Sequence, residues 1–146
     1  MKTINKSVLI WYSAGEMYTL VTDVARYPEF LPWCDHATVI STDDSGMVAE
    51  VGIAFSGIRQ TFTTRNDHVP DREVRMKLLD GPFSRLDGQW KFIPLGDGTE
   101  RACKVELQLN YGFEHVTLGK LIAPVFDKIA ASLVDAFVKR AEQVYG

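Results

Sequence analysis

The sequence predicts an α+β protein in which a curved, seven-stranded antiparallel sheet wraps one long C-terminal helix. Three observations carry this reading. From about residue 35 to residue 111, apolar and polar side chains alternate with a period of two, broken by short turns rich in Gly, Asp and Pro. From residue 118 the apolar spacing changes to three and four and stays so. Ahead of both stands one alternating segment followed by a short helical pattern. Strands joined by short turns make a meander with one wet and one apolar face, and the apolar face must be covered.

The elements follow in order. Residues 3–12, TINKSVLIWY, set Ile4, Val8 and Ile10 in alternation before Trp11 and Tyr12, and read as a first strand. Ser13 with Glu16 has the spacing of a capping box, and Met17, Leu20, Val21 and Val24 fall at helical intervals. Pro28 and Pro32 then stop the helix after a further turn, because a residue before proline is driven to an extended conformation.

Six more strands are expected. HATVIST leads through DDSG into MVAEVGIAF, with Met47, Ala49, Val51, Ile53 and Phe55 on one face. A turn at SG leads into IRQTFTTRNDHV, and PDR into EVRMKLL, with Val74, Met76 and Leu78 on one face. DGPF precedes SRLDGQWKFI, where Leu86, Trp90 and Phe92 oppose Arg85, Asp87, Gln89 and Lys91. PLGDGTE turns into RACKVELQLNYGF, the clearest alternation, from Cys103 to Tyr111. Residues 118–146 then carry an apolar stripe of Leu118, Leu121, Ile122, Val125, Phe126, Ile129, Leu133, Phe137 and Val144. Pro124 should kink this helix or mark its first turn.

At 146 residues, 46% hydrophobic and 24% charged, the chain has the size of one domain and can bury a real core. A net charge of −3 argues against a DNA-binding protein. Only residues 58–92 are net basic, with seven basic and five acidic side chains. Cys34 and Cys103 are far apart in sequence, which fits buried thiols in a reducing compartment. The start resembles no signal peptide and no stretch reaches the length of a membrane span, so a cytoplasmic protein is expected, with peripheral contact at the inner face of a membrane as an extension.

A single helix cannot fill the hollow of a strongly twisted sheet, so either large side chains plug the gap or a cavity remains. DVARYPEFLPWC at 23–34 and GPFSRLDGQWKF at 81–92 resemble the coenzyme-Q-binding START-like family, within the helix-grip superfamily. That group also holds the ribosome-association toxin A proteins and proteins described as oligoketide cyclases. The resemblance covers essentially the whole chain, as one START-like domain over residues 1–146.

The resemblance implies a carrier that binds a hydrophobic ligand, foremost ubiquinone, between sheet and long helix, in support of respiration or quinone biosynthesis. It would need no cofactor and no metal. Quinone oxygens accept hydrogen bonds, so donors are required; Arg65, Tyr111, Trp90 and Gln60 are the candidates. The polyprenyl tail needs apolar wall, for which Phe55, Met76, Leu86, Phe92, Leu121, Val125 and Ile129 are candidates. Tyr27, Phe30, Leu31 and Trp33 are expected to cap the groove, stiffened by the two prolines, either as a sealed corner or as a movable lid.

Two alternatives differ in class. One is ribosomal-subunit binding that inhibits association, supported by Arg75, Lys77, Arg85 and Lys91 on the polar face of neighbouring strands; the same basic stripe suits an anionic membrane surface. The other is a polyketide cyclase or dehydratase, with Arg65 or Tyr111 as acid or base. No catalytic constellation is legible. His36, His68 and His115 each follow an acidic residue, and adjacent residues on a strand point to opposite faces.

Overall fold

The computed structural model describes residues 2–55 and 57–146. The chain runs β1 (Lys2–Ile10), α1 (Ala14–Thr22), a 3-10 segment (Val24–Glu29), β2 (Cys34–Asp43), β3 (Gly46–Phe55), β4 (Ile58–Val69), β5 (Glu73–Asp80), β6 (Phe83–Pro94), β7 (Cys103–Phe113) and α2 (Val116–Tyr145). Ser56, half of the turn expected after β3, lies outside the described residues. Gly57 takes the left-handed φ of +79° that such a reversal needs.

The sheet order is β1-β7-β6-β5-β4-β3-β2, every pair antiparallel. Strands β2 to β7 form the expected meander. β1 closes the far side by pairing with β7, with Ile4 opposite Leu109, Val8 opposite Val105 and Ile10 opposite Cys103. Apolar residues therefore meet on the concave face. Met47, Ala49, Val51, Ile53, Val74, Leu86, Trp90, Phe92, Val105, Leu107, Leu109 and Tyr111 are all buried there.

Two residues depart from the expected strand pattern. Phe55 is the last residue of β3, at a hairpin tip, and is 38% exposed. Trp11 is 80% exposed. The chain has left β1 at Ile10 and is turning into α1, whose start is fixed by the capping box. Ser13 Oγ accepts from the Glu16 amide at 3.0 Å, and Glu16 Oε1 accepts from the Ser13 amide at 2.9 Å.

α2 lies across the concave face. It begins at Val116 rather than at residue 118 and runs unbroken through Pro124, which forfeits one bond to the Lys120 carbonyl. Ile122, Val125, Phe126, Ile129, Val134 and Phe137 are buried. Leu121 is 62% exposed and Val144 50% exposed, contrary to the expected stripe. At 100° per residue, Leu121 lies about 80° around the helix from Ile129. Gly119, Ala130 and Ala141 are buried in the helix's contact face. A Cβ on Gly119 would sit 3.0 Å from the Cβ of Phe113, so the small residues set how closely helix and sheet approach.

Candidate functional site: an apolar chamber under a proline-stiffened corner

The corner is built first. Val24–Glu29 continues from α1 as a 3-10 segment with Pro28 inside it, and Pro32 follows before β2. The Tyr27 hydroxyl donates to the Val21 carbonyl, and burial pushes its pKa well above the ordinary tyrosine value. The Tyr27 ring stands edge-on to Phe137 at 5.5 Å, and Phe30 does the same at 5.2 Å. Arg140 of α2 places its guanidinium 5.0 Å from the centre of the Phe30 ring and bonds Glu29 Oε1 at 2.8 Å. The Ala54 amide donates to the Trp33 carbonyl at 2.8 Å, tying the corner to β3. Leu31 is fully buried and Trp33 is 8% exposed. The segment thus bridges α2 and β3 and covers the core between them.

Beneath it the packing does not close completely. A chamber of about 90 Å³ remains between the sheet and the middle of α2. Tyr27 and Trp33 form its corner wall, Met76, Leu86 and Trp90 its floor, and Phe126, Ile129, Leu133 and Phe137 its helical side. Gly88 lies between Leu86 and Trp90 on the inward face of β6; a Cβ there would fall 2.5 Å from Leu109 Cδ2 and 3.0 Å from Met76 Cε. Lacking one, β6 leaves room.

β4 supplies the chamber's polar groups. Phe62, Thr64 and Asn66 point inward. Thr64 and Asn66, each 6% exposed, are the buried polar side chains among the described residues. Thr64 Oγ1 donates to Asn66 Oδ1 at 2.7 Å. Tyr27 is the one titratable group among the described residues of the wall.

Of the fourteen residues singled out in the sequence, Tyr27, Trp33, Met76, Leu86, Trp90 and Ile129 border the chamber. Phe30 and Leu31 stand behind the corner, and Phe92 and Val125 are buried in the adjoining core. Phe55 and Leu121 are exposed. Tyr111 is buried, but its hydroxyl donates to Asp127, which also holds Lys2 Nζ at 2.6 Å. Arg65 faces the other side of the sheet, where it bonds Asp43 at 2.6 Å and Asp67 at 3.0 Å. Those contacts hold the Asp43 carboxyl far below its ordinary pKa.

The parity of β4 explains Arg65. Phe62 fixes the even-numbered side chains inward, so 65 must point out and 64 and 66 in. The same rule applied from Phe62 would have found Thr64 and Asn66. Of the four candidate donors, Arg65, Tyr111, Trp90 and Gln60, the chamber has Trp90 on its wall.

The histidines behave differently from expectation at one position. His36 Nδ1 lies 2.8 Å from Asp35 Oδ1 and His36 Nε2 lies 3.5 Å from Glu50, on the outer face. His68 is packed edge-on to Tyr18 at 6.0 Å, and its Nε2 is buried without a partner. His115 is the N-cap residue of α2 and is exposed. Among the described residues no cluster of three potential metal ligands occurs. No helix of the described residues is long and apolar enough to cross a membrane. On the outer face Arg75, Lys77, Arg85 and Lys91 are exposed on adjacent β5 and β6, as expected, with Arg75 paired to Glu73 and Arg85 to Asp87.

A curved sheet gripping one long helix over an apolar chamber defines a helix-grip protein of the START-like class. The chain belongs to the polyketide cyclase / dehydrase and lipid transport family, whose model matches residues 10–138. It is 44% identical over 146 residues to "Ribosome association toxin RatA" of Vibrio cholerae, covering 100% of this chain and 99% of that protein. It is 28% identical to "Coenzyme Q-binding protein COQ10 homolog B, mitochondrial" of Xenopus laevis, over 97% of this chain and 59% of that one. Among solved structures, the Zhui aromatase/cyclase of a Streptomyces species superposes with a TM-score of 0.86 at 15% identity, covering 99% of this chain and 96% of that one. That likeness concerns the fold alone.

Proposed function

We propose that this protein binds an isoprenoid quinone, ubiquinone in the first instance, in the chamber between sheet and α2, and carries it without chemical change. The observation that supports the reading is the character of the wall: aromatic and aliphatic, with the Asn66 amide, the Thr64 hydroxyl and a Tyr27 hydroxyl already given to the Val21 carbonyl. Apolar pockets with a few placed polar groups suit such ligands. The likeness to a coenzyme-Q-binding protein points the same way. A chamber of about 90 Å³ is smaller than the ~300–1,000 Å³ of ligand pockets in general. Loading therefore displaces the half-buried Phe62, Met76 and Leu133 and loosens the Tyr27–Trp33 corner. A cyclase would need an acid or base at the chamber, and the two candidates for it, Arg65 and Tyr111, are engaged elsewhere by carboxylates.

The test is purification from the native host, solvent extraction and mass spectrometry of the bound lipid. Bound quinone, or uptake of added short-chain ubiquinone, is expected. A protein that carries none and takes up none would end the carrier reading.

A second reading is ribosomal-subunit binding, favoured by 44% identity over the whole chain to a ribosome association toxin. The exposed Arg75, Lys77, Arg85 and Lys91 are its candidate contact surface. Co-sedimentation with ribosomal subunits should then fall steeply as salt is raised. Absence of co-sedimentation at low salt would remove this reading.

A further inference from the structure

We infer that Asn66 is the group that selects what enters the chamber, and that it selects molecules carrying a hydrogen-bond acceptor on an otherwise apolar body. The inference rests on the chamber's being the ligand site.

Asn66 lies on the inward face of β4, between Met47 of β3 and Met76 of β5. It is 6% exposed, and the part of its surroundings that is open is the chamber. Thr64, two residues along the same face, donates its hydroxyl proton to Asn66 Oδ1 at 2.7 Å. That bond uses the amide's acceptor and turns its nitrogen away from Thr64. Among the described residues no protein acceptor receives the amide protons. An amide nitrogen carries two donors; among the described residues the buried side-chain polar atom without a partner is His68 Nε2, so the Asn66 nitrogen keeps accessible surface. With methionines on both neighbouring strands and the side chain 6% exposed, that donor is presented to the chamber.

The chemistry names the class of ligand. The chamber offers donors, so it takes a carbonyl or ether oxygen; it offers no cation among the described wall residues, so it does not call for a carboxylate or phosphate. Trp90 on the chamber wall provides an aromatic surface. A ring ketone or quinone satisfies both. Thr64 positions the amide and does not itself donate to the ligand, because its proton is already given to Asn66.

The experiment uses two planar one-ring probes of matched shape, acetophenone and α-methylstyrene, which differ in C=O against C=CH2. Their binding to the wild-type chain, to Asn66→Leu and to the double variant Thr64→Val/Asn66→Leu is measured by ligand-observed NMR and by thermal shift. The ratio of the two affinities should move at least tenfold toward the hydrocarbon in both variants. Removing the polar pair together leaves no orphaned hydroxyl, so the double variant should melt at or above the wild-type temperature. An unchanged ratio overturns the inference, as does a wild-type protein that binds neither probe. If the ratio shifts as expected while long-chain ubiquinone is never bound, Asn66 keeps its role and the carrier reading fails.

Discussion

His36 Nδ1 lies 2.8 Å from the carboxylate of Asp35, although the two are consecutive in β2. Strand geometry forbids this for a regular pair. A register shift between Cys34 and His36 adds a residue on one side of the ladder and brings both side chains to the outer face. Opposite them is Gly52, where a Cβ would sit 2.2 Å from both Asp35 Oδ1 and His36 Cε1. Gly52→Ala should therefore push the two side chains apart. Both are partly exposed and can move, so the cost should stay within ~1 kcal/mol. Amide exchange at residues 34–37 should quicken, since the bulge loses its bracing. Wild-type exchange rates there in the variant would show that Gly52 has no such part.

Phe137 joins three elements. Its ring meets Tyr27 at 5.5 Å, Phe30 at 5.2 Å and Trp90 at 5.2 Å, and it is 1% exposed. Phe137→Ala should cost ~3–5 kcal/mol by chemical denaturation. Trp33→Ala should behave alike, since Trp33 is buried and its carbonyl is bound to β3. A loss under ~1 kcal/mol in either would mean that the corner is a loose lid over the chamber.

The architecture was legible because alternation is a local signal: strands β3, β5, β6 and β7 each declare an inward face through apolar residues two apart. β4 does not. Its large apolar residues packed against the core, Ile58 and Phe62, stand in its first half, and its inward polar pair, Thr64 and Asn66, then breaks the pattern because it serves the chamber. Arg65, one of the four candidate donors, draws notice by its charge, but its parity points it outward to Asp43 and Asp67. The chamber itself depends on what is missing, a side chain at Gly88 and a helix residue bulky enough to fill the gap beside Leu133. Such absences become visible only when helix and sheet are placed together.

Gly88 gives the direct test of that gap. A methyl group there meets Leu109 and Met76 inside van der Waals distance, so Gly88→Ala should cost ~1–3 kcal/mol through overpacking. It should also lower uptake of short-chain ubiquinone, because Leu109 and Met76 are driven into the chamber. Folding kept with uptake undiminished would place the ligand elsewhere.

Both thiols should be inert in the native protein. Cys103 is fully buried and Cys34 is 5% exposed. Burial first, and the nearby charges of Asp35 and Glu16 second, push their pKa values up to about 11. At pH 8 a thiol reagent should titrate neither on the timescale of minutes and both after denaturation. Rapid native labelling of Cys34 would show that the corner above it opens often.

Glu16 is both the capping-box acid of α1 and the partner of Arg101, whose guanidinium binds it at 2.8 and 2.7 Å. The Arg101 hydrogen bonds, opposed by some burial and helped by Ser13, hold its pKa down to about 2. The folded state thus resists protonation at a pH where the unfolded chain, near 4.5, accepts it. Stability from this group is complete above about pH 4.5 and drains away as pH falls toward 2. Arg101→Met should flatten that part of the stability–pH curve by lowering stability at pH 7 and not at the acid end, and by a modest amount, since both side chains retain solvent contact. Ser13→Ala removes the other half of the cap and should cost ~1 kcal/mol across the whole range. Urea midpoints at pH 7 and pH 3 for the three proteins decide the point: an acid loss in Arg101→Met equal to the wild type's would assign acid sensitivity to other carboxylates.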